Sequence, residues 1–393
     1  MAGSPVGPVL SADETRQAEA LLASAWGERA GIRGAQLIWG RRHIVRLDLG
    51  PGRSVVLKRQ ASQHRGDGTR ARSFRVELAT LEYLNAMPVP VAPRLLAADP
   101  GAGILLMEDL GAGASLADSL LAGDRARAEA DLTAYARGLG TVHAWSIRRP
   151  GGLSGLLARY APGTTASPAW VGAVATGKDA FLGVAGALGL PAVGVAAEID
   201  DVAAALTGPR YAGLVHGDAC PDNVLMQDGS CRIFDFETSG LGTVALDAAY
   251  LVAPFPSCWC FASLPAEVAA PAVAAYRACL GSAGVELGPD WDAATAAALA
   301  AWIVARGRVI SRVLDEDRQW GTMTMRPRLL TWLASFTGAA DQAGVFPRLS
   351  ALAGALHEQL SRRWPGTAAP EYPALARPGS IPLSIPEWWP PAQ

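Results

Sequence analysis

Residues 214–240 read LVHGDACPDNVLMQDGSCRIFDFETSG, and the reading of this stretch decides the fold. The part NVLMQDGSCRIFDF reads as two short strands turned at Gly229. That pairing sets Asn223 at the start of one arm and Asp235 at the end of the other, on one edge of an antiparallel hairpin. Asp218, then Asn223 five positions later, then Asp235 at a strand end is an arrangement that phosphoryl transfer requires. One carboxylate, Asp218, would orient an attacking hydroxyl and accept its proton. An amide oxygen on Asn223 and the carboxylate of Asp235 would hold Mg2+ against nucleotide phosphates. Taken singly, each of these residues has an ordinary job, capping a turn or ending a strand. Taken together, they fall where one site needs them.

The run H-G-D-x-x-P-x-N followed by I-F-D-F-E resembles the aminoglycoside phosphotransferase and choline kinase family, small-molecule kinases with a protein-kinase-like fold. The resemblance implies an α+β, two-lobed protein-kinase-like architecture. A small, mainly antiparallel sheet lobe with one key helix would precede a larger, mostly helical lobe. It also implies a strand lysine that grips nucleotide phosphates and a helix glutamate that holds the lysine. SVVLKR supplies Lys58, and RVELATLEYL supplies Glu77, with Glu82 in reserve. GILLMEDLG, residues 103–111, is similar to the family's linker between lobes. There the carbonyl of Glu108 and the amide of Leu110 would meet an adenine edge, with Met107 just inside. By the same resemblance Asp247 braces the catalytic loop and His216 packs behind it; Asp222, beside Asn223, and Glu237, two past Asp235, could touch metal or solvent but read first as structural residues. The protein-kinase glycine loop is absent, as is common in this family, and only Gly40 stands there, followed by Arg41, Arg42 and His43, which weakens the expected backbone cover of the phosphates.

Eleven residues separate Asp235 from Asp247, too few for the activation segment and peptide platform of a protein kinase. The expected acceptor is therefore a small hydroxylated molecule: an aminoglycoside or other antibiotic, an amino sugar or an amino alcohol. The phosphoryl donor would be ATP or GTP with Mg2+. The acidic run Asp315, Glu316 and Asp317, at an expected helix end with Arg312 and Arg318 nearby to offset it, reads first as a solvated surface cluster and otherwise as the candidate for binding a cationic acceptor. Trp259, Trp302 and Trp320 read first as packing residues. A second reading is a non-catalytic, pseudokinase-like module that binds nucleotide or ligand without turnover.

Composition sets the outer bounds. With 393 residues, half of them hydrophobic, the chain can bury a large core. A net charge of −2 with no basic stripe argues against nucleic acid and membrane surfaces as partners, leaving a monomer or homodimer. The apolar stretch at 293–309 is interrupted by Arg306 and reads as part of a buried helix over 290–314. The amino terminus lacks a signal-peptide pattern, so a cytoplasmic location is expected. Five cysteines in a long chain read as reduced thiols rather than as a disulfide framework or a metal site. The expected division is a nucleotide-binding lobe at 1–108, a helical catalytic and substrate lobe at 109–365, and a proline-rich tail at 366–393 read as an extended strap.

Overall fold

The computed structural model describes residues 9–38, 41–60, 68–163, 169–253, 255, 257–386 and 388–389. Gly40 lies outside these residues, and the side chains of Arg41 and Arg42 are not described. In chain order, the first elements are α1 (Ala12–Trp26), β1 (Gly34–Ile38), β2 (Arg41–Gly50), β3 (Arg53–Arg59), α2 (Gly68–Leu84), β4 (Leu95–Asp99) and β5 (Ile104–Glu108). There follow α3 (Leu116–Leu121), α4 (Arg125–Ile147), α5 (Pro150–Tyr160), α6 (Ala169–Ala187) and α7 (Val195–Leu206). Next come β6 (Ala212–Val215), β7 (Val224–Gln227), β8 (Ser230–Ile233), β9 (Gly240–Thr243) and the single turn α8 (Ala245–Ala248). The chain closes with α9 (Ala266–Ser282), α10 (Pro289–Val304), α11 (Gly307–Asp315), the pair β10 (Gln319–Trp320) and β11 (Met323–Thr324), α12 (Met325–Ala343) and α13 (Pro347–Arg363). They form two compact units, one of Met1–Ala112, Gly151–Thr164 and Phe234–Glu237, the other of the remaining residues.

The first unit holds a five-stranded sheet in the order β1-β2-β3-β5-β4, with every neighbouring pair antiparallel. Ser11 and Glu14 form the reciprocal cap expected at the start of α1. Along α2, Phe74, Leu78, Leu81 and Leu84 recur at helical spacing and are all buried. Glu77 falls on the same stripe, three residues after Phe74 and four before Leu81. Its carboxylate is therefore carried inward by the packing of its neighbours, and only 2% of the residue is exposed.

The second unit is mainly helical and carries three small strand pairs. β7 and β8 pair in register from Val224↔Ile233 to Gln227↔Ser230. Asp228 and Gly229 between them both have positive φ, 46° and 76°, the conformation that closes a two-residue hairpin with the right twist. β6 pairs with β9, so the strand that leads into His216-Gly217-Asp218 is fixed by Gly240–Thr243.

The expected single helix over 290–314 is two helices, α10 and α11, bent by 51° at Ala305–Arg306. Close packing accounts for the break. Gly177 on α6 and Gly307 meet backbone to backbone, and a Cβ on either would clash with main-chain atoms of the other helix. Among the described residues no single helix is long and apolar enough to cross a membrane; α10 and α11 pass by length and composition only as a bent pair, and α10 is buried through most of its length.

The tail beyond α13 is an extended strap. Glu371 bridges to Ser263, Tyr372 and Leu375 are fully buried, and the rings of Trp388 and Trp389 lie 4.9 and 4.5 Å from that of Trp259. The cysteine expectation needs correction: Cys220 and Cys258 form a disulfide, while Cys231, Cys260 and Cys279 are free. Chain-wide composition carries no information about two cysteines 38 residues apart whose backbones converge, which is why the bond was not legible.

Candidate active site

In the first unit the strand register places Lys58 opposite Ile44 on one side and Leu105 on the other, in the centre of the sheet. Its ammonium lies 2.6 Å from Glu77 Oε2 and 2.6 Å from Asp235 Oδ1, so the three sequence-picked residues meet. Burial pulls the Lys58 ammonium down, but Glu77, Asp235 and Glu237 outweigh it and hold it well above the usual lysine range. Burial pushes the Glu77 carboxyl up, to about 7, against the downward pull of Lys58 and with Asp235 adding to the rise. Asp235 adopts φ 67°, a left-handed conformation that a non-glycine residue holds only when its surroundings fix it. Glu82, the reserve partner for Lys58, instead accepts a hydrogen bond from Tyr160 at 2.6 Å.

Met107 is buried on β5, paired with Val56 and Leu95. Glu108 accepts from the Arg94 amide at 3.0 Å through its side chain, and its own amide donates to the Arg94 carbonyl. Leu110 follows the sheet and is half-buried. Between them stands a residue that the sequence reading passed over: Asp109 accepts from Arg46 at 2.7 and 3.0 Å and from Ser54 at 2.6 Å, tying the end of β5 to β2 and β3.

In the second unit, the catalytic-loop candidates gather around a buried carboxylate. Asp247, with no exposed surface, accepts from the His216 amide at 2.6 Å, the Gly217 amide at 3.0 Å and His143 Nε2 at 3.2 Å. His143 is a second residue without a sequence signal, and its Nδ1 lies 2.8 Å from the Tyr276 hydroxyl. Burial raises the Tyr276 phenol well above its usual range, so its hydroxyl keeps the proton beside His143. Three donors meet the desolvation cost of the Asp247 charge, and two of them are the backbone just before Asp218. Gly217 has φ 80°, and a Cβ there would press on the Thr238 carbonyl, so no other residue fits that corner as well.

Asp218 lies where that brace directs it. Its amide is 3.3 Å from His216 Nδ1, and its carbonyl accepts from Asn223 Nδ2 at 3.0 Å. The Asn223 amide nitrogen is thus engaged within the loop, which leaves the side-chain oxygen as the atom to offer a cation. Asn223 directly precedes β7, and Asp235 follows β8 by two residues. An amide oxygen and a carboxylate are hard donors of the kind Mg2+ takes, so the residues fit that ion.

Ser257 donates to Asp218 Oδ1 at 2.9 Å and lies 2.6 Å from the Tyr250 hydroxyl. Since the serine proton goes to Asp218, the fully buried Tyr250 donates to Ser257. Cys220 Sγ comes within 3.0 Å of the same carboxylate oxygen, a contact only, because a disulfide sulfur has no proton to give. Cys220, Cys258 and Asp222 bring potential ligand atoms within 4.8 Å of one another, but the two sulfurs are bonded to each other. Trp259 Nε1 donates to Asp222 Oδ2 at 2.9 Å, a structural use of that acid.

The acidic run ends α11. Glu316 pairs with Arg318 at 2.6 Å, Asp317 accepts from the Arg326 amide at 3.0 Å, and Asp315 is exposed.

Comparison with known proteins agrees with this arrangement. The family described as the phosphotransferase enzyme family matches residues 38–292, which span every motif from Lys58 to Asp247. A solved structure of a candidate aminoglycoside phosphotransferase from Ralstonia eutropha JMP134 is 16% identical with TM-score 0.51, covering 87% of this chain and 98% of that one. A choline/ethanolamine kinase family protein from Mesorhizobium loti is also 16% identical, with TM-score 0.39, over 88% of this chain and 99% of that one. An aminoglycoside phosphotransferase from Alicyclobacillus acidocaldarius is 15% identical, with TM-score 0.41, over 92% and 98%. No curated protein sequence matches the chain. At 16% identity the Ralstonia eutropha structure speaks for the fold alone, whereas the family match takes in well over half of the chain. The chain belongs to the phosphotransferase enzyme family and is, by that membership, a small-molecule kinase with the protein-kinase-like fold.

Proposed function

We propose that the chain is a Mg2+-dependent O-phosphotransferase that moves the γ-phosphoryl group of ATP or GTP to a hydroxyl of a small molecule. The acceptor classes are those named from the sequence: aminoglycosides and other antibiotics, amino sugars and amino alcohols. The observation that carries this reading is the convergence of Lys58, Glu77 and Asp235 through two contacts of 2.6 Å, from three segments distant in sequence. A buried lysine kept charged by two carboxylates is suited to gripping phosphates. Residues 1–108 would form the nucleotide lobe, and the main-chain groups of Glu108 and Leu110, beside Met107, would meet the base.

In the reaction, Asp218 orients the acceptor hydroxyl and takes its proton as the oxygen attacks the γ-phosphorus. The new phosphorus–oxygen bond forms opposite the breaking bond to the nucleoside diphosphate. Ser257 holds Asp218 Oδ1, and Asp247, through the loop amides, holds the backbone that carries Asp218. Asn223 and Asp235 would hold Mg2+, which supplies positive charge to offset that on the phosphates. Such a reaction belongs in the compartment that holds nucleoside triphosphates, so we place the protein in the cytoplasm, as a monomer or homodimer, with no nucleic-acid or membrane partner.

The test is a phosphoryl-transfer screen with ATP and with GTP over the named acceptors, with and without a chelator of divalent cations. Expected is transfer to at least one acceptor that the chelator abolishes and added Mg2+ restores. Nucleotide binding without transfer to any acceptor would favour a pseudokinase-like binding module instead.

A further inference from the structure

Arg306 occupies the break between α10 and α11, where its guanidinium is stacked among three indoles. The guanidinium carbon lies 4.6, 4.8 and 4.9 Å from the ring centres of Trp170, Trp302 and Trp332. One nitrogen donates to the Trp302 carbonyl at 3.1 Å, and no carboxylate pairs with it among the described residues. Arg328, in the same unit, shows what a structural arginine looks like here. It is fully buried and donates to three main-chain carbonyls, those of Cys258, Trp259 and Trp320, at 2.6, 3.0 and 2.7 Å. Arg306 differs in keeping part of its surface accessible and in making a single such bond.

Two contact paths join Arg306 to the base. Trp170, under the guanidinium, donates through Nε1 to the Gly217 carbonyl at 2.7 Å, one residue before Asp218. Trp302 packs on Tyr250 with ring centres 5.3 Å apart, and Tyr250 reaches Asp218 through Ser257. Burial pulls Arg306 down to about 10, with Tyr250 and Asp218 opposing, so it is a cation at neutral pH and shares the electrostatic surroundings of Asp218. A cation with its faces covered by indoles and most of its donors unused has its edge open to an anion. The planar fork of a guanidinium suits carboxylate and phosphate groups alike.

We propose that Arg306 anchors an anionic group, carboxylate or phosphate, carried by the acceptor alongside the hydroxyl that is phosphorylated. The inference rests on the reading of Asp218 as the base, and it narrows the acceptor classes given above. Of the three acids expected to draw a polycation, Glu316 pairs with Arg318 and Asp317 accepts from the Arg326 amide, which leaves Asp315 exposed.

The test uses wild type, Arg306→Met, Arg306→Lys and Asp218→Asn with glucuronate and glucose 1-phosphate as anionic acceptors, glucose as neutral, and glucosamine and kanamycin as cationic. Expected is transfer to an anionic acceptor with a KM that rises roughly tenfold or more in Arg306→Met. Arg306→Lys should recover part of that loss. The kcat and the KM for nucleotide should stay near wild type, which also shows that the variant folds. If only slow nucleotide hydrolysis is seen, the anionic compounds should inhibit it in wild type and not in Arg306→Met. Three results would overturn the inference: transfer confined to cationic or neutral acceptors, an acceptor KM indifferent to Arg306→Met, or a kcat loss equal on neutral and anionic acceptors. The last would place Arg306 on the transferring group. A wild type as inactive as Asp218→Asn in every assay would instead remove the assignment of Asp218 as base, and this inference with it.

Discussion

Lys58 sets the energetic terms at the scale of single residues. Its ammonium, with Glu77 and Asp235 each at 2.6 Å, is the shared counter-charge of two carboxylates, one enclosed and one with a quarter of its side chain exposed. Removing the cation alone strands both charges. Lys58→Met should therefore destabilise the fold by about 3–5 kcal/mol in urea unfolding, and the further change Glu77→Gln should restore part of that. A loss of less than about 0.5 kcal/mol, the range of ordinary surface substitutions, would mean that the trio is solvated and not a buried ion cluster. Sequence could nominate each member, Asp235 from its place after the hairpin and Lys58 and Glu77 from what the family resemblance implies. It could not nominate Ser257, His143 or Arg306, whose contacts with the loop, with Asp247 and with the indoles depend on chain segments brought together only by folding.

At the scale of elements, the strand ends carry the site. Asp109 fastens the end of β5 to Arg46 on β2 and Ser54 on β3. Burial raises its carboxyl, but the hydrogen bonds from Arg46, Ser54 and the Gly111 amide outweigh this and hold it below the usual carboxylate range. A depressed carboxyl means that the unfolded chain binds more protons in acid. Its stabilisation is therefore complete above the usual aspartate pKa of about 3.9 and is lost as the pH falls below it. The difference in unfolding midpoint between wild type and Asp109→Asn should stay constant from neutral pH down to about 5 and close below about 4. A gap that persists in acid would show that the hydrogen bonds do not depend on ionisation. The hairpin of β7 and β8 was fully legible, because Asp228-Gly229 between apolar arms admits few alternatives. The bend between α10 and α11 was not, since the apolar texture runs on through it and only the approach of Gly177 to Gly307 stops the helix.

At the scale of the whole molecule, the family was written in a few motifs, whereas the covalent state was not. The Cys220–Cys258 bond closes a loop across 38 residues of separation, and by loop entropy such a bond is worth about 4 kcal/mol. It joins the segment after Asp218 to the one that presents Ser257. Alkylation in denaturant followed by mass spectrometry should tag Cys231, Cys260 and Cys279 before reduction and all five cysteines after it. Five tags without reductant would show that the bond is absent from the isolated protein.

The central claim is that Asp218 is the base of a phosphoryl transfer, and a single comparison tests it most directly. Wild type and Asp218→Asn are given the same labelled nucleotide and an accepted alcohol, and transfer is followed in single-turnover conditions alongside nucleotide affinity. Asp218→Asn keeps the shape of the side chain while removing its capacity to take a proton. The account predicts that the rate of transfer falls by about 100-fold to 10,000-fold while nucleotide affinity stays within about twofold of wild type. A variant that transfers phosphate at the wild-type rate would contradict it.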